Sequence, residues 1–118
     1  MKSYTDLEQS ERLAKILPLE SADMALCSKV QPLMTDYISA KKKFSNAGEI
    51  PIDPCWSLAA LLDVLKDDIK IEKTLFDQSD MFTYSILGDA YEYRTYEHEN
   101  LIDACVEMII KLKELNLL

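Results

Sequence analysis

The stretch IPIDPCWSLAALLDVLK, residues 50–66, decides how the rest of the chain is read. Asp53 is a favoured N-cap and Pro54 a favoured first helical residue, so the pair predicts a helix starting at Pro54. Cys55, Trp56, Leu58, Ala59, Ala60, Leu61, Leu62, Val64 and Leu65 follow as apolar positions, broken only by Ser57 and Asp63 before Lys66. A helix apolar on most sides has to be enclosed on most sides, which makes this one the expected spine of the core. The segment before it, SNAGEIPIDP (45–54), holds one of two glycines and two of four prolines, and reads as a loop.

Toward the N-terminus, Thr5 and Glu8 have the spacing of a capping box. Leu7, Leu13, Ala14, Ile16 and Leu17 supply an apolar face until Pro18 forbids continuation, predicting a helix over 6–17. Between that helix and the loop, DMALC (23–27) has the character of a short strand. LMTDYIS (33–39) fits a second strand, although Leu33, Tyr37 and Ile38 also carry a helical spacing toward Phe44. The region is read as irregular, with one or two short strands.

Toward the C-terminus, residues 69–79 alternate loosely and predict a strand. The segment MFTYSILGDAYEYRTY (81–96) predicts a hairpin, with Gly88-Asp89 as a two-residue turn. That turn sets Ile86 opposite Tyr91, Tyr84 opposite Tyr93 and Phe82 opposite Thr95, an aromatic ladder facing the helices. Thr83, Ser85, Glu92 and Arg94 then face water. The last helix opens at Asn100, with Asp103 in its first turn. Leu101, Cys105, Met108, Leu112 and Leu115 form its apolar stripe, while Asp103, Glu107, Lys111 and Glu114 form a solvent ridge with a Glu107–Lys111 pair. The sum is an α+β fold, about three helices packed on one face of a small antiparallel β-sheet, in a single domain spanning residues 1–118.

Composition narrows the function classes. Thirteen basic residues against twenty-one acidic ones leave a formal charge of −8, so no nucleic-acid binding is expected. The one basic run, Lys41 to Lys43, is more simply a solvated helix end or loop. No apolar run approaches the roughly 20 residues that cross a bilayer, and the charged N-terminus has no apolar signal core. No membrane association and a cytoplasmic location are therefore expected. Cys27, Cys55 and Cys105 are odd in number and far apart, unlike a secreted disulfide framework.

Three blocks, LPLESADM (17–24), PCWSLAALLDVL (54–65) and DACVEMIIKLKELNLL (103–118), carry a resemblance. They resemble a family of short, uncharacterised bacterial and phage proteins, many carried by phages and mobile elements of gut bacteria. Lys66 stands where that family often has a proline, and Lys113 where it often has a histidine. The resemblance implies a cytoplasmic bacterial or viral protein and assigns no catalytic residue.

Two chemical sites can be assembled from the residues. Cys55, near a predicted helix start, and His98, the only histidine, are the candidate nucleophile and base of a small cysteine-dependent enzyme, with Glu97 or Glu99 to orient the ring. The plainer reading buries Cys55 beside Trp56 and leaves His98 at the surface. Cys27, Cys55, Cys105 and His98 would make a zinc set, but their spacing lacks the short ligand pairs such sites use, so no metal is expected. Phosphate-loop and dinucleotide motifs are missing, and no cofactor is expected. Tyr91, Tyr93 and Tyr96 are the candidate interaction surface, because tyrosine is enriched at interfaces and a small sheet leaves edges to be covered. The leading expectation is a non-enzymatic accessory or interaction protein with a protein partner or a homodimeric state.

Overall fold

The computed structural model describes residues 2–44, 50–65, 69–75, 82–88 and 92–118. The fold is α+β, as the pattern predicts. In place of helices on one sheet, the described residues form two three-stranded antiparallel sheets and four α-helices. The chain divides into two compact units, Ser3–Ala60 and Leu61–Leu118, the latter with Lys2.

Helix α1 (Leu7–Ala14) opens the first unit, and its capping box sits one residue later than predicted. Asp6 Oδ1 accepts the Gln9 N–H at 2.8 Å, and Gln9 Oε1 accepts the Asp6 N–H at 3.1 Å. Thr5 is freed for burial: its hydroxyl lies 2.8 Å from Ser10 Oγ and accepts the Trp56 N–H at 3.1 Å. A short 3₁₀ turn (Leu19–Ser21) leads to β1 (Met24–Cys27), the strand expected from DMALC. Strand β2 (Gln31–Leu33) pairs back onto β1. The connection places Ser28 and Lys29 at positive φ, 52° and 68°, while the Val30 N–H reaches the Cys27 carbonyl at 3.2 Å. Such turns usually employ glycine or asparagine, so nothing in CSKV announces one. Helix α2 (Tyr37–Phe44) then resolves the ambiguity over 33–44 in favour of the helical spacing. Asp36 accepts the Ser39 N–H at 3.0 Å, and that bond holds its carboxyl below the usual range.

The deciding stretch departs from expectation. Ile52–Cys55 is a strand, β3, antiparallel to β1, with Met24 opposite Cys55 and Cys27 opposite Ile52. Helix α3 (Leu58–Leu65) begins only after Trp56, and its cap is Ser57, whose Oγ accepts the Ala60 N–H at 3.2 Å. The Asp23 carboxylate fixes that cap by accepting the Ser57 N–H at 2.9 Å and its hydroxyl. Pairing decides against an earlier helix start: the Trp56 carbonyl accepts the Thr5 N–H at 2.9 Å and Leu58 donates to Ser3 at 3.3 Å. Pro54 tolerates this because β3 is an edge strand. The helix is enclosed on one stripe and not all round, with Leu61 and Leu65 buried and Ala59 and Asp63 exposed. Trp56 is buried as expected, though ahead of the helix. Met24, Leu26 and Cys55 form a buried cluster under Tyr4 and Leu7.

In the second unit β4 (Ile69–Leu75), β5 (Phe82–Gly88) and β6 (Tyr93–Arg94) lie in that order, and α4 (Leu101–Glu114) packs on β5. Gly88 pairs with Tyr93 and Leu87 with Arg94, so the predicted register of Tyr84 with Tyr93 is displaced by four residues along β5. An even displacement keeps Tyr93 on the face of Ile86. Asp89 of the expected turn and Tyr91 of the expected return strand lie outside the described residues. Beyond Arg94, Tyr84 exchanges both backbone bonds with His98, at 2.6 and 2.8 Å. Residues 95–97 thus oppose only Ser85 and Ile86, which makes a bulge. Thr95 holds it together: its N–H donates to the Ile86 carbonyl and its hydroxyl accepts the Ile86 N–H, both at 2.9 Å.

Two face assignments are corrected. Thr83 and Ser85 are buried, because a hydroxyl can be satisfied locally: Thr83 Oγ1 donates to the Thr74 carbonyl at 3.4 Å. Phe82 is 41% exposed, its ring under the Lys73 ammonium at 4.0 Å. Arg94 is exposed as predicted and ion-pairs with Glu72. On α4 the expected Asn100 cap is present, accepting the Asp103 N–H at 3.0 Å, and Cys105, Met108 and Leu112 are buried. Leu115 is exposed, and Lys111 pairs with Glu114 at 3.9 Å while Glu107 turns to β6.

Candidate functional site

Apart from Tyr91, which lies outside the described residues, the sequence-derived candidates have definite places. Cys55 is fully buried on β3, its Sγ donating to the Thr5 carbonyl at 3.4 Å and lying 3.6 Å from Thr5 Oγ1. Burial pushes its thiol up, opposite to what a nucleophile needs. Cys105 is likewise buried and pushed up to about 12, and Cys27 is half-buried; all three thiols are free. His98 is partly buried, with Nε2 at 2.7 Å from Glu107 Oε1. Glu107 also accepts the Tyr93 hydroxyl at 2.8 Å and the Tyr96 N–H at 3.1 and 3.2 Å. The bond to Glu107, reinforced by burial, pushes the Tyr93 phenol up to about 12. This carboxylate therefore gathers donors and pins the bulged strand to α4. It offers a histidine–carboxylate pair whose other contacts are a phenol and a backbone amide, neither an activated nucleophile. Tyr96 is 79% exposed. Among the described residues no group of three or more His, Cys, Asp or Glu is placed to hold a metal ion. No helix among them is long and apolar enough to cross a membrane.

Among the described residues, the feature without an internal partner is a strand edge. In an antiparallel ladder, the N–H and C=O of one residue point to the same neighbour and alternate along the strand. Tyr84 and Ile86 turn theirs toward the β6 side, where His98 and Thr95 meet them. Thr83, Ser85 and Leu87 therefore bond to β4, whose residues opposite them are Thr74, Glu72 and Lys70. The groups of Ile69, Ile71, Lys73 and Leu75 point outward from β4, which is the edge of its sheet. Their side chains share one face with Phe82 and Tyr84, and Ile71, Leu75 and Phe82 are 41, 57 and 41% exposed. An open edge beside exposed apolar side chains is a template for pairing.

The other edges carry features that interrupt pairing. The Ser28 N–H meets the Pro51 carbonyl, so β1 residues Met24 and Leu26 bond toward β3, and Ala25 and Cys27 toward β2. Pro32 on β2 and Pro54 on β3 then fall where their missing N–H would point outward. Beyond β3 the N-terminal segment bridges, Tyr4 opposite Ser57. Just past β6 the Tyr96 N–H is taken by Glu107. The sequence reading centred on tyrosines and missed Ile71, Leu75, Phe82 and Glu107. The loose alternation of 69–75 was the available signal for the first two. No family model, curated protein or solved structure matches this chain.

Proposed function

We propose that this chain is a non-enzymatic accessory protein of the cytoplasm that acts by binding protein through the β4 edge and the apolar face beside it. A phage or mobile-element origin belongs to the same reading. One observation supports it: the seven-residue strand β4 turns alternate backbone groups outward, with no partner among the described residues, next to exposed Ile71, Leu75 and Phe82. Edge addition supplies affinity through main-chain bonds and specificity through alternate side chains, which this face provides. The burial of Cys55 and the raised thiol speak for a structural cysteine.

Capture from the native host tests the reading, with wild type beside a Leu75→Asp, Phe82→Ser double variant. A protein retained by wild type and lost by the variant is the expected result. The same retained set for both overturns the role of this face. Thiol titration addresses the chemistry: Cys55 should resist alkylation until denaturant is added, and rapid native alkylation of Cys55 would favour an enzyme.

A further inference from the structure

Resting on that protein-binding reading, we infer that the outer edge of β4 is filled by β4 of a second copy of this chain, antiparallel to the first about a two-fold axis at Ile71. The two three-stranded sheets then join into one of six strands.

The geometry of the edge restricts the registers. A two-fold axis perpendicular to the sheet keeps each side chain on its own face, so one residue lies on the axis opposite its own copy. Within IKIEKTL (69–75), three registers pair five or more described residues, with Ile71, Glu72 or Lys73 on the axis. Glu72 on the axis sets two carboxylates against each other, and Lys73 sets two ammonium groups against each other. Like charges directly opposite are unfavourable. With Ile71 on the axis, Ile71 meets the partner's Ile71, and Lys70 stands opposite the partner's Glu72, twice by symmetry. This is the one register of the three in which the charges agree.

The backbone agrees too. Ile69, Ile71 and Lys73 are the residues whose N–H and C=O point outward. In this register Ile71 exchanges both bonds with the partner's Ile71, and Ile69 does so with the partner's Lys73. The Lys70–Glu72 pairs fall at the narrow, non-hydrogen-bonded positions, where side chains approach most closely. Arg94 already holds Glu72 through both guanidinium nitrogens, so the carboxylate is fixed on that face. On the opposite face Lys73 lies over the Phe82 ring at 4.0 Å, away from the axis, and the two Ile71 side chains meet there.

Sedimentation equilibrium of the full chain tests this. Wild type should reach twice the 13.5 kDa chain mass in the micromolar range. Lys70→Glu alone and Glu72→Lys alone should each weaken association by roughly tenfold or more, since each creates two like-charged pairs. An equimolar mixture of these two variants should recover association to near the wild-type level, because each then offers the charge the other lacks. Ile71→Pro removes an N–H that points away from β5, so it should abolish the dimer and leave the unfolding midpoint nearly that of wild type at concentrations too dilute for association. A wild-type chain that stays monomeric at about 100 μM overturns the inference while leaving the wider reading to the capture experiment. A dimer indifferent to all these substitutions also overturns it. Should Glu72→Lys fail to fold, Lys70→Glu and Ile71→Pro decide alone.

Discussion

The two sheets have the same strand number and the same antiparallel pairing, and they end differently. The sheet β2-β1-β3 limits its own pairing: Pro32 and Pro54 each remove an outward donor, and the N-terminal segment bonds past β3. The sheet β4-β5-β6 is capped just past β6, where Glu107 takes the Tyr96 N–H, and its β4 side has no partner among the described residues. The difference lies in the residues placed at outward positions: Pro32 on β2 and Pro54 beside Ile52 on β3 in one case, and Ile69, Ile71, Lys73 and Leu75 in the other. A sheet of three strands is small, and what stands at its margin decides whether it remains so.

The largest expected effect is on the closed side. Trp56 is fully buried, donates its ring N–H to Ser21 Oγ at 2.9 Å and its backbone N–H to Thr5. Trp56→Ala should cost about 3–5 kcal/mol in chemical denaturation. A cost under about 0.5 kcal/mol would show that the segment closing β3 is not part of the core.

An intermediate effect concerns the pin on β6. Tyr93→Phe deletes the hydroxyl bond to Glu107 and should cost about 0.5–1.5 kcal/mol at neutral pH. The folded phenol is raised to about 12 from an ordinary value of 10.0. Its stabilisation is therefore present in full below pH 10 and is lost as pH climbs toward about 12. Denaturation midpoints of wild type and Tyr93→Phe should converge over that window, and a gap that persists unchanged through it would separate the bond from the titration.

The smallest effect on stability, and a direct probe of the contrast, is Pro32→Val. It restores an outward donor on β2 between exposed Val30 and Met34. Stability should change by no more than about 0.5 kcal/mol, as for other surface changes, while light scattering should detect added self-association. Unaltered scattering would mean that proline is not what keeps this edge closed.

Local chemistry made much of the fold legible. The Asn100 cap, the apolar stripe of α4, the strand at Met24–Cys27 and the helix near the N-terminus all declare themselves through side chains close in sequence. Residues 52–56 did not, because Asp53-Pro54 followed by apolar residues satisfies a helix start as well as an edge strand. Only the partner strand β1 and the Thr5–Trp56 bond separate the two, and both are distant in sequence. The register of β5 with β6 is hidden for a related reason: Gly88 suits a turn, yet it is a strand residue paired with Tyr93, and the bulge at Thr95 further along depends on a side-chain hydroxyl replacing a backbone bond. Glu107 looked like a solvent residue because helical spacing cannot show which strand faces it. The open edge was visible as a possibility, yet which β4 residues point outward follows only from how Tyr84 and Ile86 bond on the far side of β5.

Amide hydrogen exchange along β4 in dilute protein is the most direct measurement of that edge. Alternation is expected: the Ile71 and Lys73 amides exchange fast, whereas those of Lys70, Glu72 and Thr74 are protected by β5, and concentrating the protein slows Ile69, Ile71 and Lys73 while leaving Lys70, Glu72 and Thr74 unchanged. An Ile71 amide as protected as Glu72 at the lowest concentration would contradict it, because the edge would then already be closed within a single chain.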